Sequence, residues 1–329
     1  MIGESAFKSA SLCVVGNVNR DIKTAPMPGG DFLLRDGETP VISIIETIGG
    51  GGANSACAAA RLGAKVAFLG KVGADSLGTI LGRTLRKRGV AAHLAKDKRH
   101  PTGTSINLVY ENGRRHFLSS LPNNRSLAFT DLNLSVLPRF RHLLRSDIWF
   151  SESMLFGGNA KLFEAARKAG MSISIDLNWD PEWNHASPGK IRERKKAVRA
   201  VLPYVDLAHG NVRELNEFAD SPDLPTTLKR LAKWGARAVV LHLGGKGAGY
   251  FENGKLHVEP PAPVRRHVNT TGTGDVLSVC MMLLHGNKRA TVPEKLRLAN
   301  AIVSQFIEGK RQFIPSLAGS AGRQRSAEL

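Results

Sequence analysis

Strand-like and helix-like patterns alternate along most of this chain, and a glycine stands just beyond each of four helical patterns. The helical patterns cover residues 54–62, 80–88, 160–168 and 224–234, and the glycines are Gly63, Gly89, Gly170 and Gly235. Apolar runs typical of strands lie at residues 11–15, 66–69, 172–177 and 238–243. Glycine at these points relieves the left-handed turn in which many helices end. The repeated order of strand, helix and strand predicts an α/β fold, with a central, mostly parallel sheet and helices on both faces.

Two segments interrupt this alternation. Residues 105–119 contain strand-like runs on either side of Asn112-Gly113, which is a strong hairpin signal. Residues 22–48 are extended and rich in proline and glycine, with residues 41–45 as the clearest strand. Together they predict a small β element apart from the α/β body, where a substrate lid could lie. A further hairpin is predicted at residues 249–258, around Asn253-Gly254.

Length and cysteine content indicate an ordinary globular protein. The 329 residues can bury a sizeable core without disulfides or metal ions. Cys13, Cys57 and Cys280 form no C-x-x-C pair, which is typical of a reducing compartment. The longest apolar stretch, residues 276–284, is much shorter than the roughly 20 residues that a membrane helix requires. We therefore expect a cytoplasmic protein with no membrane partner.

The chain is strongly basic, with a formal net charge of +18 from 46 Lys+Arg and 28 Asp+Glu. Such a charge favours anionic partners in general. The basic residues are spread along the sequence, and aromatic residues make up only 6% and do not alternate with them, as a base-stacking surface would require. The pattern therefore disfavours nucleic acid as a partner and favours a solvated basic surface that attracts anionic substrates.

Two glycine-rich loops lead directly into helical patterns. They are Gly49-Gly50-Gly51-Gly52, shortly before Asn54, and Gly272-Thr273-Gly274, immediately before Asp275. A glycine loop at a helix N-terminus directs several backbone N–H groups and the positive end of the helix dipole at one point, which suits a phosphate. Neither loop matches the dinucleotide fingerprint or the P-loop. A nucleotide would therefore bind in another way.

Asp275 is the strongest candidate for a catalytic residue. A carboxylate in a first helical turn often only complements the helix dipole. Here it follows a loop suited to an anion, and a base beside such a loop is what phosphoryl transfer to a hydroxyl group requires. The base takes the hydroxyl proton while the N–H groups stabilise charge on the transferred group.

Two motifs make the chain similar to the PfkB-type carbohydrate kinases over nearly its whole length. Residues 269–275, Asn-Thr-Thr-Gly-Thr-Gly-Asp, resemble the C-terminal signature of that family, and residues 49–54 with residues 70–78 resemble the N-terminal signature. The resemblance implies a ribokinase-like body with a β lid, ATP with Mg²⁺ as phosphoryl donor, and a sugar or polyol hydroxyl as acceptor. The body is expected at residues 1–21, 47–101 and 122–315, the lid at residues 22–46 and 102–121, and a disordered tail at residues 316–329.

The same resemblance implies roles for individual residues on the acceptor side. Asp275 would be the catalytic base, and the backbone N–H groups of Gly272, Thr273 and Gly274 would form the anion hole. The acceptor hydroxyls would be bound by Asn19, Asp21, Gly50 and Asn54. Without the family, Asp21 is a turn aspartate after a strand, and Asn54 is a good helix N-cap.

On the donor side, the resemblance assigns Asn211 and Glu214 to Mg²⁺ and phosphate, with Glu214 as the metal-associated residue. Read alone, the same pair is an N-cap and its capping-box partner. Gly244 and Gly247 would lie against the nucleotide, and Asn300 near the adenine. Asn300 could equally be a plain helix residue.

Three positions depart from the family pattern. Asn269 replaces an aspartate that helps to hold a monovalent cation, which puts K⁺ dependence in doubt. His242 stands where a threonine is usual, close to the ATP side. Asp180 replaces the arginine of D-x-N-x-R, which favours a neutral acceptor; Arg20 or Arg114 could compensate.

We therefore predict an ATP-dependent sugar kinase that phosphorylates a small neutral sugar similar to ribose or fructose. The alternatives are a 2-keto-3-deoxygluconate or nucleoside kinase of the same family, and a catalytically silent regulator that binds sugar or nucleic acid. A homodimer through the β lid is a further possibility, since unpaired lid strands tend to be covered.

Overall fold

The computed structural model describes residues 7–30, 36–268 and 272–310. Within these ranges the strands are β1 (Ser11–Val15), β2 (Asn19–Thr24), β3 (Ile44–Gly49), β4 (Lys65–Gly73), β5 (Val90–Asp97), β6 (Thr104–Val109), β7 (Arg115–Ser120), β8 (His142–Arg145), β9 (Ser172–Asp176), β10 (Leu207–Asn211), β11 (Ala238–His242), β12 (Ala248–Glu252) and β13 (Lys255–Glu259). The α-helices are α1 (Gly51–Arg61), α2 (Ser76–Lys87), α3 (Pro122–Arg125), α4 (Asn159–Lys168), α5 (Pro188–Val201), α6 (Val212–Ala219), α7 (Leu224–Lys233), α8 (Thr273–His285) and α9 (Val292–Ile307).

The strands form two separate sheets. The larger has the order β13-β12-β11-β10-β9-β8-β1-β4-β5 and the smaller the order β3-β2-β6-β7. The pairs from β5 to β11 across the larger sheet are all parallel, and only β12 and β13 run antiparallel to their neighbours. Parallel pairs need crossover connections, and the helices between these strands provide them. The structure is the predicted α/β body with a large parallel sheet and a small separate one.

The larger sheet is buried on both faces, as a parallel sheet requires. One core contains the apolar residues of α1, α2, α8 and α9, and the other contains those of α4, α5, α6 and α7. Successive residues of a strand therefore serve opposite cores: Val14 lies in the first and Cys13 and Val15 in the second. No helix within the described ranges is long and apolar enough to span a membrane.

The predicted hairpins form around their Asn-Gly turns. Strands β6 and β7 pair on either side of Asn112-Gly113, and β12 and β13 pair around Asn253-Gly254. Both residues of the second turn have positive φ, 51° for Asn253 and 76° for Gly254, which is the conformation that matches the twist of a tight hairpin.

Two boundaries next to the first glycine-rich loop differ from the prediction. The strand expected at residues 41–45 is β3, Ile44–Gly49, because the chain pairs with β2 up to the glycine run instead of ending before it. The helix expected from residue 54 begins at Gly51. Glycines normally disfavour a helix, but a Cβ on Gly52 would lie 2.8 Å from the Cα atom of Gly16. This close approach of α1 to the end of β1 accounts for glycine in the first turn.

The smaller sheet has two chemically different faces. Paired residues of neighbouring strands point to the same side, and the side chains alternate along each strand. One face carries Asp21, Lys23, Thr47 and Asn107 and lines a cavity against the body. The other carries Ile22, Ile44, Ile106 and Leu118, of which the last three are exposed. The division of the chain into body and lid segments stays a prediction, and residues 316–329 lie outside the described residues.

Candidate active site

A cavity of about 650 Å³ lies between the small sheet, one face of α1 and the first turn of α8. The sheet contributes Asp21, Lys23, Ile45, Thr47, Ile48 and Asn107; α1 contributes Asn54, Cys57, Ala58 and Arg61; α8 and its N-cap contribute Gly272, Asp275 and Val276; Lys87, Arg88 and Phe306 complete the wall. The α1 residues follow the spacing of one helical face. We call this space the acceptor cavity. It brings together Asp21, Asn54 and Asp275, three of the side chains assigned from the sequence.

Asp21 is held in place by residues that do not line the cavity. Its Oδ1 accepts a hydrogen bond of 2.6 Å from the Nδ2 atom of Asn19, which is buried. A Cβ on Gly49 would lie 2.1 Å from the Asp21 Cγ, so glycine at this position makes room for the carboxylate. Burial raises the pKa of Asp21, while the bond from Asn19 acts in the opposite direction. Asn19 thus lies behind the cavity lining and positions Asp21.

Gly50 also lies behind the cavity. It is the N-cap of α1, its φ is 95°, and a Cβ there would come 2.4 Å from the carbonyl oxygen of Asn17. Asn54 is therefore not the helix N-cap that its position suggested. It lies within the first turn of α1, and its side chain hydrogen-bonds to Asp275.

Asp275 lies in the first turn of α8, whose N-cap Gly272 has a left-handed φ of 86°. Burial, together with the nearby carboxylates of Asp147 and Glu214, raises the pKa of Asp275 to about 8, against the effect of the bond from Asn54. A carboxyl group with a raised pKa is a stronger base once it is deprotonated, which suits proton abstraction from a hydroxyl group.

Two carboxylates near Asp275, Asp147 and Asp176, were given no role from the sequence, although Asp176 begins the D-x-N-x-R pattern in which Asp180 departs. Asp147 has a φ of 53°, and its Oδ2 accepts hydrogen bonds from the backbone N–H groups of Asn17, at 2.8 Å, and Gly52, at 2.9 Å. It thereby joins the end of β1 to the start of α1. Asp176 ends β9, and its pKa is raised well above the ordinary value by burial and by Glu214, Asp275 and Asp147. For Asp147, only its place shortly after a strand could have indicated a role.

Asn211 and Glu214 form the capping box at the start of α6. The Asn211 Oδ1 accepts from the Glu214 N–H at 3.0 Å, and the Glu214 Oε2 accepts from the Asn211 N–H at 2.8 Å. Burial raises the pKa of Glu214. No group of three or more metal-ligating side chains has the geometry of a metal site within the described residues.

A second cavity, of about 520 Å³, lies on the other side of the first turn of α8. Its lining includes His242, Gly244, Gly245, Gly247, Pro261, Pro263, Thr273, Gly274, Leu277, Asn300, Val303 and Ile307. Gly247 has a φ of 96°, and a Cβ on it would lie 2.1 Å from the carbonyl oxygen of Glu259. We call this space the donor cavity. Thr273 and Gly274 line it while Gly272 and Asp275 line the acceptor cavity, so one helical turn separates the two spaces.

Two donor-cavity residues have structural partners. The Asn300 Nδ2 donates to the carbonyl oxygens of Glu259, at 3.1 Å, and Pro260, at 2.7 Å, so its amide holds the chain that follows β13. His242 Nε2 lies 2.8 Å from the Ser278 Oγ. Burial lowers the pKa of His242 to about 4, which leaves its imidazole neutral at physiological pH. The position that departs from the family pattern thus adds no charge to the cavity.

Asp180 requires a correction. Its side chain is fully buried, and it forms a two-pronged ion pair with Arg194, at 2.7 Å to Nε and 2.9 Å to Nη2. It does not line the acceptor cavity. The aspartate therefore serves the packing of the α5 layer, and the preference for a neutral acceptor that was based on it has no support. Arg20, named as a possible compensating charge, pairs instead with Glu46 at 3.6 Å.

Removal of Arg194, the partner of Asp180, should lower the stability of the fold and leave acceptor specificity unchanged. We expect Arg194→Met to lower the free energy of unfolding by about 3–5 kcal/mol, because it leaves a buried carboxylate without its cation. Lys190→Met is the control, since Lys190 is half-exposed and its pairs with Glu152 and Glu182 lie at the surface; its cost should be below about 1 kcal/mol. Denaturant unfolding measures both, and equal costs would contradict the structural role of the pair.

Comparison with known proteins identifies the family. The family model described as pfkB family carbohydrate kinase matches residues 9–310. The chain belongs to this family. Fructokinase-2 of Solanum lycopersicum is 28% identical over 233 residues, which cover 69% of each chain. The chain is thus a carbohydrate kinase, and the resemblance drawn from the two glycine motifs is confirmed.

Solved structures of low sequence identity share the ribokinase-like fold. Fructokinase with bound ATP from Xylella fastidiosa has a TM-score of 0.75 at 18% identity, covering 93% of this chain and 94% of that one. Arabidopsis thaliana ribokinase complexed with ribose and ATP has a TM-score of 0.71 at 20% identity, covering 93% and 96%. The predicted fold class is therefore confirmed as well.

Proposed function

We propose that this kinase transfers the γ-phosphoryl group of ATP to a hydroxyl group of a small sugar, of the size of ribose or fructose. The observation that carries the proposal is the first turn of α8, which lies between the two cavities and presents Gly272 and Asp275 to one and Thr273 and Gly274 to the other. Group transfer requires such a shared wall, because donor and acceptor must approach each other while water is excluded. The fructokinase and ribokinase relatives support the same substrate size.

The acceptor would bind with Asp21 and Asn54 on its hydroxyl groups, while Asn19 and Gly50 hold these two residues in place. Asp275 would accept the proton of the reacting hydroxyl group while the oxygen of that hydroxyl group forms the new bond to phosphorus. The bond from phosphorus to the bridging oxygen breaks, and ADP leaves. The backbone N–H groups of residues 272–274, at the N-terminus of α8, would stabilise the charge on the transferred group.

The donor cavity and the nearby acids fit ATP with Mg²⁺. Gly244 and Gly247 allow close approach of phosphates, and Leu277, Val303 and Ile307 offer an apolar wall for a base. Burial and the carboxylates of Glu214, Asp275 and Asp147 raise the pKa of Asp176, and burial, Asp147 and Glu214 raise that of Asp275; a divalent cation would relieve this concentration of negative charge. Bound through Asn211 and Glu214, Mg²⁺ would neutralise phosphate charge during transfer. Asn269, the residue that puts K⁺ dependence in doubt, lies outside the described residues.

The proposal is tested by ADP release with ATP, Mg²⁺ and a panel of D-ribose, D-fructose, 2-keto-3-deoxygluconate and adenosine, with product mass as a second readout. We expect one acceptor class to gain a single phosphoryl group. ADP release without a phosphorylated product would contradict the proposal. Sugar or nucleic-acid binding without turnover, with a steep salt dependence for nucleic acid, would support the silent regulator instead. A cytoplasmic location fits this proposal and stays a prediction.

We also propose a homodimer through the outer face of the small sheet. Ile44, Ile106 and Leu118 are 62%, 38% and 52% exposed on this face, and apolar surface of this kind on an open sheet favours pairing. Ile106→Lys should convert a dimer into a monomer in light scattering. Ile80→Lys, at a site on α2 that is 52% exposed, should leave the dimer intact. A wild-type monomer at the same concentration would contradict the proposal.

A further inference from the structure

Basic side chains outnumber acidic ones in the acceptor cavity. Lys23, Arg61, Lys87 and Arg88 line it, against two carboxylates. They come from three separate elements, the small sheet, α1 and the end of α2, and they meet only in the folded chain. The carboxylates, Asp21 and Asp275, are already assigned to hydroxyl groups. The positive charge therefore has no function in the mechanism described above.

Three of these cations lack a carboxylate to neutralise them. Within the described ranges, no Asp or Glu forms an ion pair with Lys23, Lys87 or Arg88. The Arg88 Nη1 makes only a long contact of 3.9 Å to the Cys57 Sγ. Lys87 and Arg88 are exposed and Lys23 is half-buried, whereas the buried Lys71 pairs with Asp131 at 2.9 Å. A concave site lined by unpaired cations concentrates anions.

The basic cluster lies away from the reacting hydroxyl. Asn54, which touches Asp275, and Arg61 both belong to α1. They are seven residues apart, which is roughly 10 Å along a helix axis. Lys87 and Arg88 lie at the end of α2. An anionic group bound by these side chains would therefore belong to the part of the acceptor farthest from the phosphorylated oxygen.

Asn107 lines the same cavity. Its side chain is 3% exposed, and its Oδ1 has no hydrogen-bond partner among the described residues. It pairs across the strands with Lys23 on the lining face of the small sheet. A buried carbonyl oxygen without a donor is costly, and a hydroxyl group of a bound sugar would satisfy it. The sequence offered no signal for this residue.

We propose that the acceptor is an anionic sugar, a sugar phosphate or a sugar acid, with its phosphate or carboxylate bound by Lys23, Arg61, Lys87 and Arg88 and a hydroxyl group by Asn107. This inference rests on the proposed kinase function and revises the expectation of a neutral acceptor. The transfer step is unchanged: Asp275 receives the hydroxyl proton, the new oxygen–phosphorus bond forms, and ADP leaves. The product carries both the original anionic group and the new phosphoryl group.

Paired acceptors test this directly. D-fructose is compared with fructose 6-phosphate and fructose 1-phosphate, D-ribose with ribose 5-phosphate, and 2-keto-3-deoxygluconate represents the carboxylates. We expect kcat/KM for the best anionic acceptor to exceed that of its neutral counterpart at least tenfold, with a KM that rises with salt. If only the sugar phosphates are active, the anionic group is a phosphate. If only 2-keto-3-deoxygluconate is active, it is a carboxylate.

The double variant Lys87→Gln/Arg88→Gln should raise the KM for the anionic acceptor about ten- to a hundredfold and leave kcat nearly unchanged. Arg83→Gln/Arg86→Gln is the matched control, because it removes two charges from exposed positions of the same helix that do not line the cavity. Equal effects of the two double variants, or a neutral acceptor as good as its anionic counterpart, would overturn the proposal.

Calorimetric binding of ribose 5-phosphate, fructose 6-phosphate and 2-keto-3-deoxygluconate keeps this test separate from catalysis. Binding that weakens in Lys87→Gln/Arg88→Gln but not in the control would support the anionic site. If such binding occurred and no acceptor were phosphorylated, only the kinase assignment would fail. If none of the three bound while a neutral sugar did, the anionic site would be rejected and the kinase assignment retained.

Discussion

Asp275→Asn is expected to lower kcat by about 10²–10⁴-fold, the range over which a positioned general base contributes to catalysis. The amide keeps the size of the carboxylate but cannot accept the hydroxyl proton. The KM for the acceptor should change little, because Asp21 and Asn54 still line the same cavity. Initial-rate kinetics over a range of acceptor concentrations separates the two parameters.

The same variant should not lose stability. The pKa of Asp275 is raised to about 8 by burial and by neighbouring carboxylates, so its ionised form is disfavoured in the folded chain. A carboxyl with a raised folded pKa destabilises the fold as pH rises above its unfolded pKa near 4. Asp275→Asn removes this penalty, and its Tm at pH 8 should equal or exceed that of the wild type. A lower Tm with the loss of activity would indicate a structural role instead.

Asp21→Ala is expected to raise the KM for the acceptor about ten- to a hundredfold, since a hydrogen bond to a charged group contributes about 1.5–3 kcal/mol. Its carboxylate faces the cavity and is oriented by Asn19 at 2.6 Å. The KM for ATP should stay the same, because Asp21 does not line the donor cavity. Steady-state kinetics with each substrate varied in turn measures both constants.

Gly49→Ala provides an independent test of the same contact. The added methyl group would overlap the Asp21 carboxylate, at 2.1 Å from its Cγ, and so must displace it. We expect the acceptor KM to rise as in Asp21→Ala. Gly286→Ala is the control, because nothing lies within 4 Å of a Cβ at that position. An unchanged acceptor KM in both Asp21→Ala and Gly49→Ala would exclude Asp21 from acceptor binding.

The order of strands and helices was predictable because local chemistry determines it. Gly63, Gly89, Gly170 and Gly235 all have positive φ in the structure, between 75° and 103°, as their positions just beyond helices required. The glycine loop before Asp275 likewise precedes a helix, and Gly272 is its N-cap. These features depend on neighbours in sequence, so a pattern of residue types is sufficient to find them.

The features that were missed depend on contacts between distant segments. The start of α1 at Gly51 follows from the approach of Gly52 to Gly16, which no local propensity indicates. Asp147 hydrogen-bonds to Asn17 and Gly52, which are 130 and 95 residues away. Asn107 becomes a candidate ligand only because folding buries its Oδ1 without a partner.

Asp180 shows how a motif can mislead. Its place in a family pattern suggested an effect on the charge of the acceptor, but the residue pairs with Arg194 in the core. Lys87 and Arg88 are exposed, as a solvated basic surface predicts, but the sequence did not indicate that they line the acceptor cavity. The charge of the site was thus determined by which helix faces meet, and that is a property of the tertiary structure.

The pH dependence of the reaction at sub-saturating concentrations of both substrates tests the central claim most directly, because it reports on groups of the free enzyme. If Asp275 is the base, the rate should be highest above pH 8 and fall about tenfold per pH unit below it, as protonation removes the base. The residual activity of Asp275→Asn should lack this dependence. A rate that stays constant down to pH 5, or the same dependence in Asp275→Asn, would contradict the account.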